Sequence, residues 1–263
     1  MKYFIDTEFI EGFSKWTFAK NRHFIDLISI GIIAEDGRTY YAVSNEYRYD
    51  DADQWVKDNV ITPAYINSVH GDQRNRYTVA NFHKHYGKSN EKIAQEIIDF
   101  INFGIEGFVY KITRADCWAE VYYPDEFKYC KEHNTFIPNT FYKSGDNGIE
   151  KNMFLFYNQP EFYGYYADYD WVLFCSLFGR MIDLPKGFPM YCKDLKQMLD
   201  EKVDKSTLAY YGTDLEGSGA GENFEGKMRL IKAHIDYPKQ SNEHNALDDA
   251  KWNFELYKFI KSL

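Results

Sequence analysis

The chain opens with a short apolar run, Tyr3-Phe4-Ile5, which predicts a strand over residues 2–5. Residues 24–34 form a longer run rich in Ile and predict a second strand. Glu35-Asp36-Gly37-Arg38 then places an Asp-Gly turn ahead of a third strand over 39–44, so the fold starts as an antiparallel arrangement. Trp55, Val56 and Val60 predict a short helix. Ile93, Ala94, Ile97, Ile98 and Ile101 recur at helical spacing and predict an amphipathic helix over 90–103. Between 105 and 152 the pattern weakens into strand-like pieces at 108–113 and 121–123 and a polar loop at 143–152. Residues 153–157 and 162–167 read as extended, the second as a buried strand. Residues 171–178 are apolar all round, as a buried helix is. Helices are predicted over 193–202 and 245–261, with a Gly-rich flexible loop at 216–226. No internal repeat is visible.

Composition narrows the class. A chain of 263 residues, 44% hydrophobic and 27% charged, suits one large soluble domain carrying insertions. Aromatic residues reach 19%. Most belong in a core, though any exposed ring is also a stacking surface for a nucleobase. The net charge of −9 excludes an extended sheath around duplex nucleic acid. It fits an enzyme that grips a strand end, where cations supply the positive charge. Four cysteines without a Cys-x-x-Cys pair read as free thiols of a reducing cytoplasm, with Cys175 in the core. Cys117, Cys130 and His133 could contribute to a zinc site, but no fourth ligand is evident. The start of the chain lacks a signal-peptide pattern, and the run at 27–34 is too short to span a bilayer.

Three acidic groupings carry the candidate chemistry. Asp6 and Glu8, two apart on a strand, project to the same side, where their charges repel unless a cation lies between them. Asp168 and Asp170 follow an apolar strand and precede the buried helix. Asp170 is placed either to cap that helix or to ligate a metal. His244-Asn245-Ala246-Leu247-Asp248-Asp249-Ala250 opens the last helix. At 100° per residue Asp248 falls in the polar arc with Lys251, Glu255 and Lys258, whereas Asp249 falls beside Ala246, Asn253, Leu256 and Ile260 in the apolar arc. A carboxylate turned into protein needs a partner, so Asp249 is the stronger ligand candidate.

Taken together and in this order, these segments resemble the DEDDh branch of the DnaQ-like, RNase H-fold 3′–5′ exonucleases, which includes RNase T and oligoribonuclease. They are more similar still to the exoribonuclease AS family, described as polyadenylate-specific. The resemblance rests on residues 3–10, 28–32, 41–44, 165–172 and 244–250, and covers about 1–103, 160–200 and 240–262. Stretches at about 105–152 and 204–236 read as insertions in a single domain spanning 1–263. The resemblance implies an α/β fold: an RNase H-like mixed β-sheet, its first three strands antiparallel, flanked by helices. It also implies that Asp6, Glu8, Asp170 and Asp249 hold two Mg²⁺ or Mn²⁺ ions. His244 would act as general base in hydrolysing single-stranded RNA from its 3′ end, releasing nucleoside 5′-monophosphates.

Phe9 then faces the terminal base or ribose, or packs as a core aromatic. Arg74, Arg76, Lys84 and Lys88 form the most basic local stretch and are candidates for phosphate contacts farther along the strand. A homodimer is expected, as in related exoribonucleases. A single-stranded DNA exonuclease of the same superfamily and a non-catalytic nucleic-acid-binding protein are the alternatives.

Overall fold

The computed structural model describes residues 1–14, 22–69, 77–102, 107–112, 117–122, 127–130, 135–138, 151–156, 159–206 and 224–263; between 107 and 156 only strand pairing is described. Strands β1 (Lys2–Ser14) and β2 (Arg22–Ala34) pair antiparallel over their whole length, and β3 (Thr39–Val43) adds to β2. Both long strands exceed the expected bounds. β1 runs well past the expected residues 2–5, because β2 supplies hydrogen-bond partners on through Ser14. Asp6 and Glu8 are therefore mid-strand groups. Between Glu8 and Phe9 the register slips, with Glu8 opposite Ser29 and Phe9 opposite Leu27, so Ile28 is the extra residue of a β-bulge.

Strands β4 (Gly107–Ile112), β5 (Cys117–Tyr122) and β8 (Lys151–Phe156) form a separate three-stranded sheet, while β6 (Phe127–Cys130) and β7 (Thr135–Pro138) form a hairpin. In the main sheet, β9 (Glu161–Gly164) lies parallel to β1, and β10 (Lys193–Asp194) lies parallel to β9. The order β10-β9-β1-β2-β3 makes this a mixed five-stranded sheet, as an RNase H-like fold requires.

Helices cover both faces. Alternation along β1 sends Tyr3 and Ile5 to one side and Phe4 to the other. On the first side, Tyr3, Ile5, Ile30 and Ile32 pack against α4 (Asn90–Asn102) and α5 (Asp168–Ser176). On the second, Phe4 and Ile33 pack against α6 (Leu195–Lys205), α7 (Phe224–Lys232) and α8 (Ala246–Ser262). A third cluster joins Ile10, Ile28 and Val43 to α1 (Gln54–Val56), the π-turn Lys57–Ile61, α2 (Thr62–Ser68) and α3 (Phe82–Tyr86).

Other boundaries also differ from the sequence reading. The strand expected over 162–167 stops at Gly164, where a Cβ would lie 2.8 Å from the Ala167 Cβ, so the chain folds back there. Lys193 and Asp194 are a strand, and Asp194 caps α6 by accepting from the Gln197 N–H. Residues 224–226, expected in a flexible loop, form the first turn of α7; 207–223 lie outside the described residues. Among the described residues no helix is long and apolar enough to cross a membrane.

Candidate metal centre

β9 pairs with β1 only as far as Phe4, so the edge of β1 is open from Ile5 onward. The chain leaving β9 crosses this edge. Tyr166 takes a left-handed φ of 54°, and the Ala167 N–H donates to Asp194 Oδ2 at 2.9 Å. α5 then begins at Asp168, with Ala167 rather than Asp170 at the N-cap position. Asp170, the third helical residue, turns inward and is 7% exposed, whereas Asp168 is exposed. Its Oδ1 accepts from the Thr7 N–H at 2.8 Å and from the Thr7 hydroxyl at 2.6 Å. The open edge of β1 thus supplies the donor that fixes Asp170.

α8 brings the next carboxylate. Asn245 caps it, its Oδ1 accepting from the N–H groups of Leu247 and Asp248. Asn253, buried, donates to the Ile5 carbonyl at 2.9 Å and ties the helix to β1. Asp249 is buried, with Oδ1 accepting from Gln240 Nε2 at 2.6 Å and Oδ2 from the His244 N–H at 2.9 Å. Asp248 instead pairs with Lys251 and Asn242 at the surface. Helical phase therefore separates the two aspartates as the sequence indicated. His244, half-buried with a left-handed φ of 68°, packs edge-on against Trp55 with ring centroids 4.9 Å apart.

The structure brings oxygens of Asp6, Glu8 and Asp249 within 4.8 Å of one another. Burial, together with the charges of Asp170, Glu8 and Asp249, holds Asp6 well above the usual carboxylate range. Burial, then Asp249 and Asp170, pushes Glu8 up to about 8. Burial raises Asp170 to about 6 against the pull of its two Thr7 hydrogen bonds. Asp249 is raised by burial, against the bonds from Gln240 and His244. Among the described residues no Lys or Arg offsets the charges of Asp6 and Glu8, and no donor reaches either. A cluster of unneutralised hard oxygens, partly open on the Asp6 and Glu8 side, fits Mg²⁺ or Mn²⁺.

The remaining predicted residues are dispersed. Phe9 packs on Tyr169 at 5.3 Å, beside Asp170 in sequence. Lys84 is exposed on α3, and Lys88 Nζ lies 2.6 Å from Glu96. Arg74 and Arg76 lie outside the described residues, as do His133 and the side chains of Cys117 and Cys130. Sequence reasoning missed Thr7, Gln240 and Trp55 as supports of the site. A Thr between two same-face carboxylates was a usable signal for the first; nothing local marked Gln240.

Two curated proteins from Mycobacterium tuberculosis strains, each named 3′-5′ exoribonuclease, are 51% identical to this chain over 61 residues. That stretch is 23% of this chain and 31% of each relative, so the match spans under a third of the relatives' length. No family model matches the chain.

Proposed function

We propose that this protein is a 3′–5′ exoribonuclease of the DEDDh type that uses two divalent cations and releases nucleoside 5′-monophosphates from RNA. One observation carries the reading: Asp6, Glu8 and Asp249 converge within 4.8 Å, and among the described residues no Lys or Arg acts on Asp6 or Glu8. The partial relatives named 3′-5′ exoribonuclease support it.

Asp6, Glu8 and Asp249 would hold the ions, with Asp170 completing the set. Bound there, the ions supply charge neutralisation for the phosphate and the leaving oxygen and acidify a water. The protein's own part is positional. Thr7 fixes the rotamer of Asp170, and Gln240 and the His244 N–H fix that of Asp249. His244, its ring braced by Trp55, takes the proton from the attacking water. The water oxygen forms the new bond to phosphorus, the bond from phosphorus to the 3′-oxygen breaks, and that oxygen gains a proton as the shortened strand leaves. The protein acts on single-stranded 3′ ends, in the cytoplasm, as a homodimer.

The test is digestion of 5′-labelled single-stranded RNA and DNA with Mg²⁺ or Mn²⁺, resolved on a gel. A ladder shortening from the 3′ end on RNA, abolished by EDTA, is the expected result. A preference for DNA moves the protein to the alternative substrate, and no cleavage of either strand overturns the reading.

A further inference from the structure

The four clustered carboxylates are not held alike. Asp170 accepts two hydrogen bonds from Thr7, and Asp249 accepts from Gln240 and from the His244 N–H. Among the described residues nothing donates to Asp6 or Glu8. Glu8 carries one more rotatable bond than an aspartate. Of these groups it therefore has the most freedom to lose when it closes on an ion.

Strand register places two hydroxyls on the side of the sheet where Glu8 lies. Asp6, Gly31 and Tyr41 form one row across β1, β2 and β3, and Glu8, Ser29 and Val43 form the next. Cross-strand partners point to one face, and residues two apart in a strand share it. Tyr41 and Ser29 thus stand on the same face as both carboxylates. Ser29 is buried, and Tyr41 packs half-buried against the cluster that contains Ile28 and Val43. Gly31 puts no side chain between Asp6 and Tyr41. Two strand spacings, roughly 10 Å, separate the backbones of β1 and β3. A tyrosine and a glutamate that lean toward each other over β2 close that span. The phenol feels this neighbourhood: burial raises it above its ordinary value against its hydrogen bond with Ser29, and the charges of Glu8 and Asp248 add to the rise. Tyr41 therefore keeps its proton and remains a donor. Asp248 already accepts from Lys251 and Asn242, whereas Glu8 has no donor of its own.

We infer that Tyr41, oriented by Ser29, is the positioning residue for Glu8, its hydroxyl donating to the Glu8 carboxylate when that carboxylate holds a cation. Tyr41 then does for Glu8 what Thr7 does for Asp170. The inference deepens the proposed function and rests on it for the presence of the ion. A donor placed behind a metal ligand fixes the ligand's rotamer and stabilises its charge, and loss of such a partner lowers metal affinity or activity about 10- to 100-fold.

The test compares wild type, Tyr41→Phe and Ser29→Ala by calorimetric titration with Mn²⁺ in the absence of RNA, beside thermal unfolding in EDTA. Tyr41→Phe keeps the ring and its packing, so its melting temperature in EDTA should stay close to that of the wild type. Its Mn²⁺ affinity should fall about tenfold, with a smaller loss in Ser29→Ala. RNA turnover in Tyr41→Phe should recover as Mn²⁺ is raised to saturation, a rescue that damaged packing does not give. Unchanged Mn²⁺ affinity in a folded Tyr41→Phe protein overturns the inference. So does a loss confined to the melting temperature in EDTA. A wild type that binds no Mn²⁺ overturns it together with the metal-dependent reading. A wild type that binds Mn²⁺ but cleaves neither RNA nor DNA counts against the exonuclease reading alone, and the titration still decides the role of Tyr41.

Discussion

Gly31 of β2 lies so close to the first turn of α8 that a Cβ at that position would sit 2.2 Å from the Ala246 carbonyl oxygen and 2.3 Å from the Leu247 nitrogen. Gly31 is also the cross-strand partner of Asp6. The absence of a side chain on one strand thus lets the helix descend onto the sheet beside the carboxylate of the next strand. That descent brings Asp249 to Asp6.

Gly31→Ala should separate these two carboxylates. The contacts are with backbone, which cannot rotate away, so α8 must shift. Overpacking of this kind costs about 1–3 kcal/mol. Thermal unfolding should report that loss. Mn²⁺ titration calorimetry should show weakened binding, and RNA turnover should fall by about two orders of magnitude. Native metal affinity in a folded Gly31→Ala protein would show that helix placement does not set the site.

The acidic cluster makes the metal-free protein respond to pH in the unusual direction. Glu8 is raised to about 8, Asp170 to about 6 and Asp6 well above the ordinary range. Between about pH 4.5 and pH 8 the folded state then holds more protons than the unfolded state, so stability falls as pH rises. Glu35, Glu96 and Glu161, whose values are lowered by Lys partners, act in the opposite sense but at lower pH. In EDTA the melting temperature should be higher at pH 5.5 than at pH 8. Saturating Mn²⁺ should remove that difference, since ions bind the deprotonated form and replace the protons. A melting temperature that climbs from pH 5.5 to 8 in EDTA would contradict the assigned shifts.

Thr7→Val tests how Asp170 is held. The substitution keeps the shape of the side chain, removes the hydroxyl bond at 2.6 Å and leaves the backbone bond at 2.8 Å. A hydrogen bond to a charged group contributes about 1.5–3 kcal/mol. Loss of this one favours the protonated carboxyl, so Asp170 should move above about 6. The acid limb of the pH–rate profile should shift upward, with metal affinity at pH 6 reduced more than at pH 8. An unchanged profile would assign the hydroxyl to packing alone.

Much of this was legible in the residues because the physics was local. Same-face alternation paired Asp6 with Glu8, and helical phase chose Asp249, which is buried, over Asp248, which pairs with Lys251. The three antiparallel strands followed from apolar runs and the Asp36-Gly37 turn, and α4 from its apolar period. What was not legible depended on partners distant in sequence. The full length of β1 needed β2 alongside it, α7 needed the surface of α6 and α8 against Ile231, and β10 needed the edge of β9. The bond from Gln240 to Asp249 arises from a loop course that no periodicity encodes.

His244 contributes to the site twice, and the two contributions can be separated. Its backbone N–H bonds Asp249 at 2.9 Å, and its ring stands against Trp55. Its left-handed φ of 68° is strained for most side chains and free of cost for glycine. His244→Gly should therefore keep the N–H bond, the helix start and Mn²⁺ binding, with stability equal to or above that of the wild type. His244→Ala should keep the N–H but lose up to about 1 kcal/mol relative to glycine. Both should lower turnover by about 10²–10⁴-fold, the usual contribution of a positioned base. Added imidazole should restore part of the activity of the glycine variant, which has room where the ring stood. Full turnover in His244→Gly would remove the histidine from the mechanism while leaving the carboxylate centre intact.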